Sequence, residues 1–199
     1  MEKRTKKKEQ DGQQESLEHQ SLEVSMLNKD SFSDEELESY LSKGAIRASD
    51  EITVPPKILF VGDCTIATFG NFSASTGKAK SKKTFNISAM VAAAVTNSTV
   101  LNYRACLPEG KRTILYFDTE QSKYHCHTVL ERIYRLSGLS LKKDDPRLMF
   151  WGLREYTPKL RIAVIDYALR KYEGVGLVII DGLRDLMYDI NNGKEATDV

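Results

Sequence analysis

The stretch that decides the fold runs from Phe72 to Val95, FSASTGKAKSKKTFNISAMVAAAV. Its first residues alternate Phe72 and Ala74 against Ser73 and Ser75, the period of a strand. Gly77 follows, then four residues, then Lys82, Lys83 and Thr84. From Phe85 the chain turns alanine-rich, with Ile87, Met90, Val91 and Val95 at helical spacing. The order is strand, glycine-opened loop, Lys-Thr, helix.

That order is the one a phosphate-binding loop requires. A triphosphate needs backbone N–H groups aimed at its oxygens, and a loop that opens a helix supplies them. On this reading Gly77, Lys78, Ala79, Lys80, Ser81, Lys82, Lys83 and Thr84 form the nucleotide cradle. Lys83 would reach the β and γ phosphates as a point charge, and the Thr84 hydroxyl would ligate Mg²⁺. Gly77 lets the chain leave the strand with no Cβ in the way. One position departs from the usual G-x-x-x-x-G-K-[ST] spacing, because Lys82 stands where the second glycine belongs. The loop accommodates it if Lys82 stays out of a glycine-only conformation and points outward. The competing reading is a basic turn, Lys78, Lys80, Lys82 and Lys83, meeting the phosphates of a nucleic acid.

Working outward, 199 residues suffice for one domain and a tail, and a domain of about 150 residues buries enough surface to need no disulfide staples. The formal net charge of +1 singles out no class of partner. Cys64, Cys106 and Cys126 show neither a CxxC nor a metal spacing, and their odd number suits a reducing, cytoplasmic setting. No apolar run approaches the roughly 18 residues of a membrane span, and no apolar segment follows the charged N-terminus to make a secretory signal. Residues 1–30 are rich in Lys, Glu, Gln and Ser, and read as a disordered, charged tail. Residues 31–51 hold a short amphipathic helix: Ser33 and Glu36 form a capping-box pattern, Leu37, Tyr40 and Leu41 make one face, and Gly44 ends it. The domain proper begins near residue 52, with Pro55-Pro56 at its entry. Ile58–Val61 and Thr65–Phe69 read as an antiparallel ribbon leading into the Phe72–Thr76 strand.

Downstream, Arg112–Phe117 reads as a buried strand ending in Asp118-Thr119-Glu120-Gln121, and Gln121–Leu136 as a helix. Carboxylates at the carboxyl end of a strand sit where open α/β sheets hold their ligands. Asp118 is equally readable as a turn or capping residue. Glu120 is the candidate to orient an attacking water. His125-Cys126-His127 is a poor metal site, since adjacent helical residues diverge and no second ligand pair is evident. Leu148–Leu153 is a further strand, and Pro158 opens a helix with Ile162, Ile165, Leu169 and Tyr172 on one face. Gly176–Ile180 is the most hydrophobic strand, read as buried on both faces, and closes in Asp181, the candidate to hold Mg²⁺ through water.

Alternating strands and helices predict an α/β fold, a mostly parallel sheet with helices on both faces. With GKAKSKKT as phosphate loop, LYFDTEQS and LVIIDG, residues 52–199 resemble the ATPase core of the RecA-like superfamily, which includes RecA recombinases, KaiC-like ATPases and hexameric replicative helicases of the DnaB and RepA type. The loop resembles most the RepA-type ATPases of plasmids and mobile elements. The resemblance implies ATP and Mg²⁺ as ligands, Glu120 and Lys83 as catalytic residues, Thr84 and Asp181 at the metal, a hexameric assembly and a partner DNA. In that family later strands complete the sheet, so this chain is expected to be an amino-terminal portion of a longer protein, inactive alone. A KaiC-like regulatory ATPase and a non-catalytic nucleic-acid-binding module are the alternatives.

Overall fold

The computed structural model describes residues 32–78 and 81–187. The charged tail read at residues 1–30 lies outside them, as do Ala79 and Lys80 of the loop. By contacts the chain divides into Met1–Thr53 and Val54–Val199. In the first unit, α1 (Asp34–Gly44) carries the capping box: the Ser33 hydroxyl accepts from the Glu36 N–H, and Glu36 Oε2 accepts from the Ser33 N–H at 2.8 Å.

The second unit contains two sheets. β1 (Lys57–Val61), β2 (Cys64–Thr68), β3 (Thr99–Val100) and β4 (Tyr103–Ala105) form an antiparallel sheet of order β2-β1-β4-β3. β1 and β2 are the ribbon expected from the sequence. β5 (Thr113–Asp118), β6 (Leu148–Gly152) and β7 (Val175–Asp181) form a parallel sheet of order β6-β5-β7. The helices are α2 (Lys83–Thr96), α3 (Lys123–Ser137) and α4 (Pro158–Lys171), with a 3-10 turn over Leu183–Leu186. The fold is therefore α/β with a parallel three-stranded sheet, as expected, beside an antiparallel sheet from the ribbon and a hairpin the sequence left unread.

Strand β5 separates two cores because its side chains alternate across the sheet. Ile114 and Tyr116 join α2, α3 and β1, while Leu115 and Phe117 join Leu153, Leu186 and the α4 residues Ile165 and Ala168. Helices thus cover both faces. An in-register aromatic stack lies on each: Tyr116 on Phe150 at 4.3 Å between ring centres, and Phe117 on Trp151 at 4.9 Å. Each stack contributes about 0.5–1.5 kcal/mol beyond its buried area. α2 is apolar nearly all round and buries Ser88, Ala89 and Val91–Val95, as a helix packed on several sides must.

Three sequence expectations are corrected. Phe72–Thr76 is not a strand: residues 71–78 have no regular structure, and Phe72 is 95% exposed. Its alternation offers one large apolar side chain, and among the described residues no strand lies beside it to take its backbone hydrogen bonds. β7 is not buried on both faces; it is an edge strand of the described sheet, and Val178 is 37% exposed. On α4, Ile165 is buried but Ile162 and Leu169 are exposed, so Ala168 completes the packed face.

The amino-terminal end of β7 is tightly fitted. A Cβ on Gly176 would stand 2.0 Å from the Lys111 carbonyl oxygen, and backbone cannot move aside as a flexible side chain would. Gly176→Ala is expected to destabilise the fold by about 2 kcal/mol or more. Urea denaturation checks this through a lower midpoint with unchanged slope.

Candidate functional site

Asp118 is the last residue of β5 and its one charged side chain. It is fully buried. Its Oδ1 accepts the Glu120 N–H at 3.0 Å and the Gln121 N–H at 2.7 Å, and its Oδ2 accepts Gln121 Nε2 at 2.9 Å. Asp118 is thus a turn-forming residue, the second of the two sequence readings. Burial pushes its carboxyl above the ordinary aspartate value, partly opposed by those two backbone N–H groups.

Asp181 ends β7 directly opposite Asp118 in the parallel register. Its Oδ2 accepts the Tyr116 hydroxyl at 3.0 Å. Tyr116 is fully buried, and burial, with Asp181 next, holds its phenol well above its usual range, so it remains a donor. Thr119 joins the two strand ends: its N–H donates to the Asp181 carbonyl at 3.0 Å and its hydroxyl to the Gly182 carbonyl at 2.7 Å. The approach needs glycine at position 182, where φ is +102° and a Cβ would stand 2.3 Å from Thr119 Oγ1. Glu120 is exposed, and its Cβ lies 3.4 Å from that same Cβ position, so it stands beside the end of β7.

The loop before α2 is held by its own lysine. Lys83 Nζ donates to the Gly77 carbonyl at 2.6 Å. A Cβ on Gly77 would stand 2.6 Å from Ser81 Oγ, so that side chain fills the space the missing Cβ leaves. Lys83 and Thr84 are the first residues of α2, whose amino-terminus has no side-chain cap and no acidic residue in its first turn. Its leading N–H groups thus carry the helix's positive end uncompensated by local carboxylates. Lys78 and Lys82 are exposed.

Lys82 corrects half of its expectation. It points into solvent, but its φ of 60° and ψ of 25° are left-handed, the region a glycine would favour. The backbone at Lys82 bears the strain of a side chain in that region.

The orientation of α2 follows from contacts at its far end. Asn97 caps it, and Asn97 Oδ1 accepts the Leu107 N–H at 2.6 Å. Leu107 Cδ1 lies 3.5 Å from the Cβ position of Gly176, at the amino-terminal end of β7. α2 packs against the face of the sheet carrying Ile114, Tyr116 and Ile179. A helix of 14 residues spans about 21 Å. It therefore runs antiparallel to the strands, with Lys83 and Thr84 toward the edge where Asp118 and Asp181 emerge, on their face of the sheet. Among the described residues no hydrogen bond or ion pair joins Lys83 or Thr84 to Glu120 or Asp181.

The His125-Cys126-His127 run diverges: Cys126 is buried beside Gly152, while both histidines are exposed. No helix among the described residues is long and apolar enough to cross a membrane. Sequence reasoning passed over Tyr116, Thr119 and Gln121. The signal was present in Tyr116, a hydroxyl two residues before an acid in an otherwise apolar strand, which must find a partner when buried. No protein-family model matches this chain, and no similar curated protein or solved structure is found.

Two outcomes are expected. Lys82→Gly relieves the left-handed strain and should raise stability by up to about 1 kcal/mol, read as a higher denaturation midpoint. For Asp118 the raised native pKa means that the folded state holds its proton more readily than the unfolded chain. Its contribution is most favourable at low pH and is lost as pH rises from about 4 through the native value. The stability of the parent relative to Asp118→Asn should fall across that window and level off above it, measured by denaturation at a series of pH values.

Proposed function

We propose that this protein binds and hydrolyses ATP with Mg²⁺, in the manner of the RecA-like ATPases, and that it does so as a replication ATPase acting on DNA. What supports the nucleotide reading is the run of α2: its carboxyl end lies by the amino-terminal end of β7, so its Lys83-Thr84 end points toward the edge where Glu120 and Asp181 lie. The DNA role and a hexameric assembly rest on the resemblance of AKSKKTF in the loop to the RepA-type ATPases.

The donors suit the ligands. The leading N–H groups of α2, which receive no side-chain cap among the described residues, and the Lys83 ammonium would bind the phosphate oxygens, with Gly77, Lys78, Ser81 and Lys82 shaping the loop around them. Lys83 already spans the loop to the Gly77 carbonyl and has two further N–H donors for phosphate. Thr84 and Asp181 offer the hard oxygen ligands Mg²⁺ prefers; Asp181 Oδ1 receives no hydrogen bond from the described residues. Bound there, the ion would neutralise charge developing on the phosphates. Glu120, exposed and beside Gly182, would hold a water and accept its proton as the water oxygen bonds to the γ phosphorus and the bond to the β-phosphate oxygen breaks.

The test compares three variants for ATP binding by calorimetry and, in the whole protein, for steady-state phosphate release. Lys83→Ala should weaken MgATP binding about tenfold or more. Glu120→Gln should bind as the parent does, while turnover falls by roughly 10²–10⁴. Asp181→Asn should raise the Mg²⁺ concentration that binding requires. Equal affinity for Lys83→Ala, or undiminished turnover for Glu120→Gln, would refute the assignment. Turnover unaffected by single-stranded DNA would favour a regulatory ATPase of the KaiC-like kind. DNA binding with no ATP binding would favour the basic turn as a nucleic-acid contact.

A further inference from the structure

The three parallel strands bury one phenol with a specific task. Tyr116 lies on β5, two residues before Asp118, and its ring is stacked on Phe150 of β6. Its hydroxyl crosses to the other neighbouring strand and donates to Asp181 Oδ2 at 3.0 Å. Every part of that reach is constrained. The strand register sets the backbone, and full burial leaves the hydroxyl no water to turn to. The Asp181 carboxylate is therefore held through Oδ2, and among the described residues Oδ1 accepts no hydrogen bond. Asp118, its neighbour across the register, cannot take that role, because its oxygens are taken up by Glu120 and Gln121.

We infer that Tyr116 is a positioning residue for the metal-holding carboxylate: its hydroxyl orients Asp181 so that Oδ1 is presented to Mg²⁺ or to the water that Mg²⁺ carries. The inference rests on the ATP and Mg²⁺ reading above and goes beyond it by assigning the buried phenol a part in metal affinity. Mg²⁺ demands near-ideal geometry and is held by few carboxylates, so the orientation of a single one matters. Partners behind a metal-binding carboxylate typically contribute 10- to 100-fold in metal affinity.

Tyr116→Phe removes the hydroxyl and keeps the ring and its stack. In calorimetric titrations of ATP at a series of MgCl₂ concentrations, this variant should need about tenfold more Mg²⁺ for half-maximal enhancement of binding. Its affinity for ATP in excess EDTA should match the parent's. Phe150→Leu is the control for packing, since it loosens the stack and keeps the hydroxyl. It should lower the melting temperature and leave the Mg²⁺ requirement close to the parent's. If Tyr116→Phe loses stability with an unchanged Mg²⁺ requirement, or if Phe150→Leu shifts that requirement as much, the hydroxyl is structural and the inference is overturned. If Asp181→Asn leaves the parent's Mg²⁺ requirement unaltered, the metal reading itself fails and takes this inference with it. A shifted requirement in Asp181→Asn but not in Tyr116→Phe sinks only the inference.

Discussion

Two aspartates stand side by side where β5 and β7 leave the sheet, and like charges in a poorly solvated place repel. The structure meets this constraint by giving each carboxylate its own donors. Asp118 takes two backbone N–H groups and the Gln121 amide, and Asp181 takes the Tyr116 hydroxyl. Hydrogen bonds to charged groups are worth about 1.5–3 kcal/mol each, enough to hold a buried acid in place. The path of the chain after β5 follows from them. Satisfying Asp118 curls residues 118–121 into a tight turn, which sets Glu120 outward beside Gly182. Thr119, pulled inward by the same turn, ties that segment to the end of β7.

The second organising element is α2. It is buried along most of its length and packs against β3, β4, β5 and α3, so it cannot slide without disturbing the larger core. Asn97 anchors its carboxyl end beside Leu107, and its amino end carries the loop. Rigid burial of the helix is what allows the loop residue Lys82 to be held in a left-handed conformation. Strain at a single exposed position persists when the surrounding packing over-determines it.

An ion pair lies away from this edge. Arg147 and Asp145 share two short bonds, one of them 2.6 Å, in the turn before β6, and the guanidinium holds the Asp145 carboxyl below the usual aspartate range. It fixes the entry to β6 as Arg161 fixes its exit. The Arg161 guanidinium donates to the carbonyls of Leu153 and Arg154 after β6 and of Asp185 after β7, linking both loops to α4.

What the sequence determined by itself was set by period and by chemistry that acts over a few residues. The capping box of α1, the β1–β2 ribbon, the strands β5, β6 and β7 and the helices between them were all legible. Each depends on local apolar spacing, capping or turn residues. So was the placing of Asp118, Glu120 and Asp181 at strand ends. Partners distant in sequence decided the rest. The alternation of Phe72–Thr76 has the form of a strand, but a strand exists only where another strand accepts its hydrogen bonds. β7 reads as doubly buried from its composition, yet its edge position leaves Val178 partly in solvent. The left-handed backbone of Lys82 is imposed by the loop closing onto a buried helix, against the preference of its own side chain. The bond from Tyr116 to Asp181 joins residues 65 apart in the chain, and only the parallel register of β5 and β7 makes them neighbours.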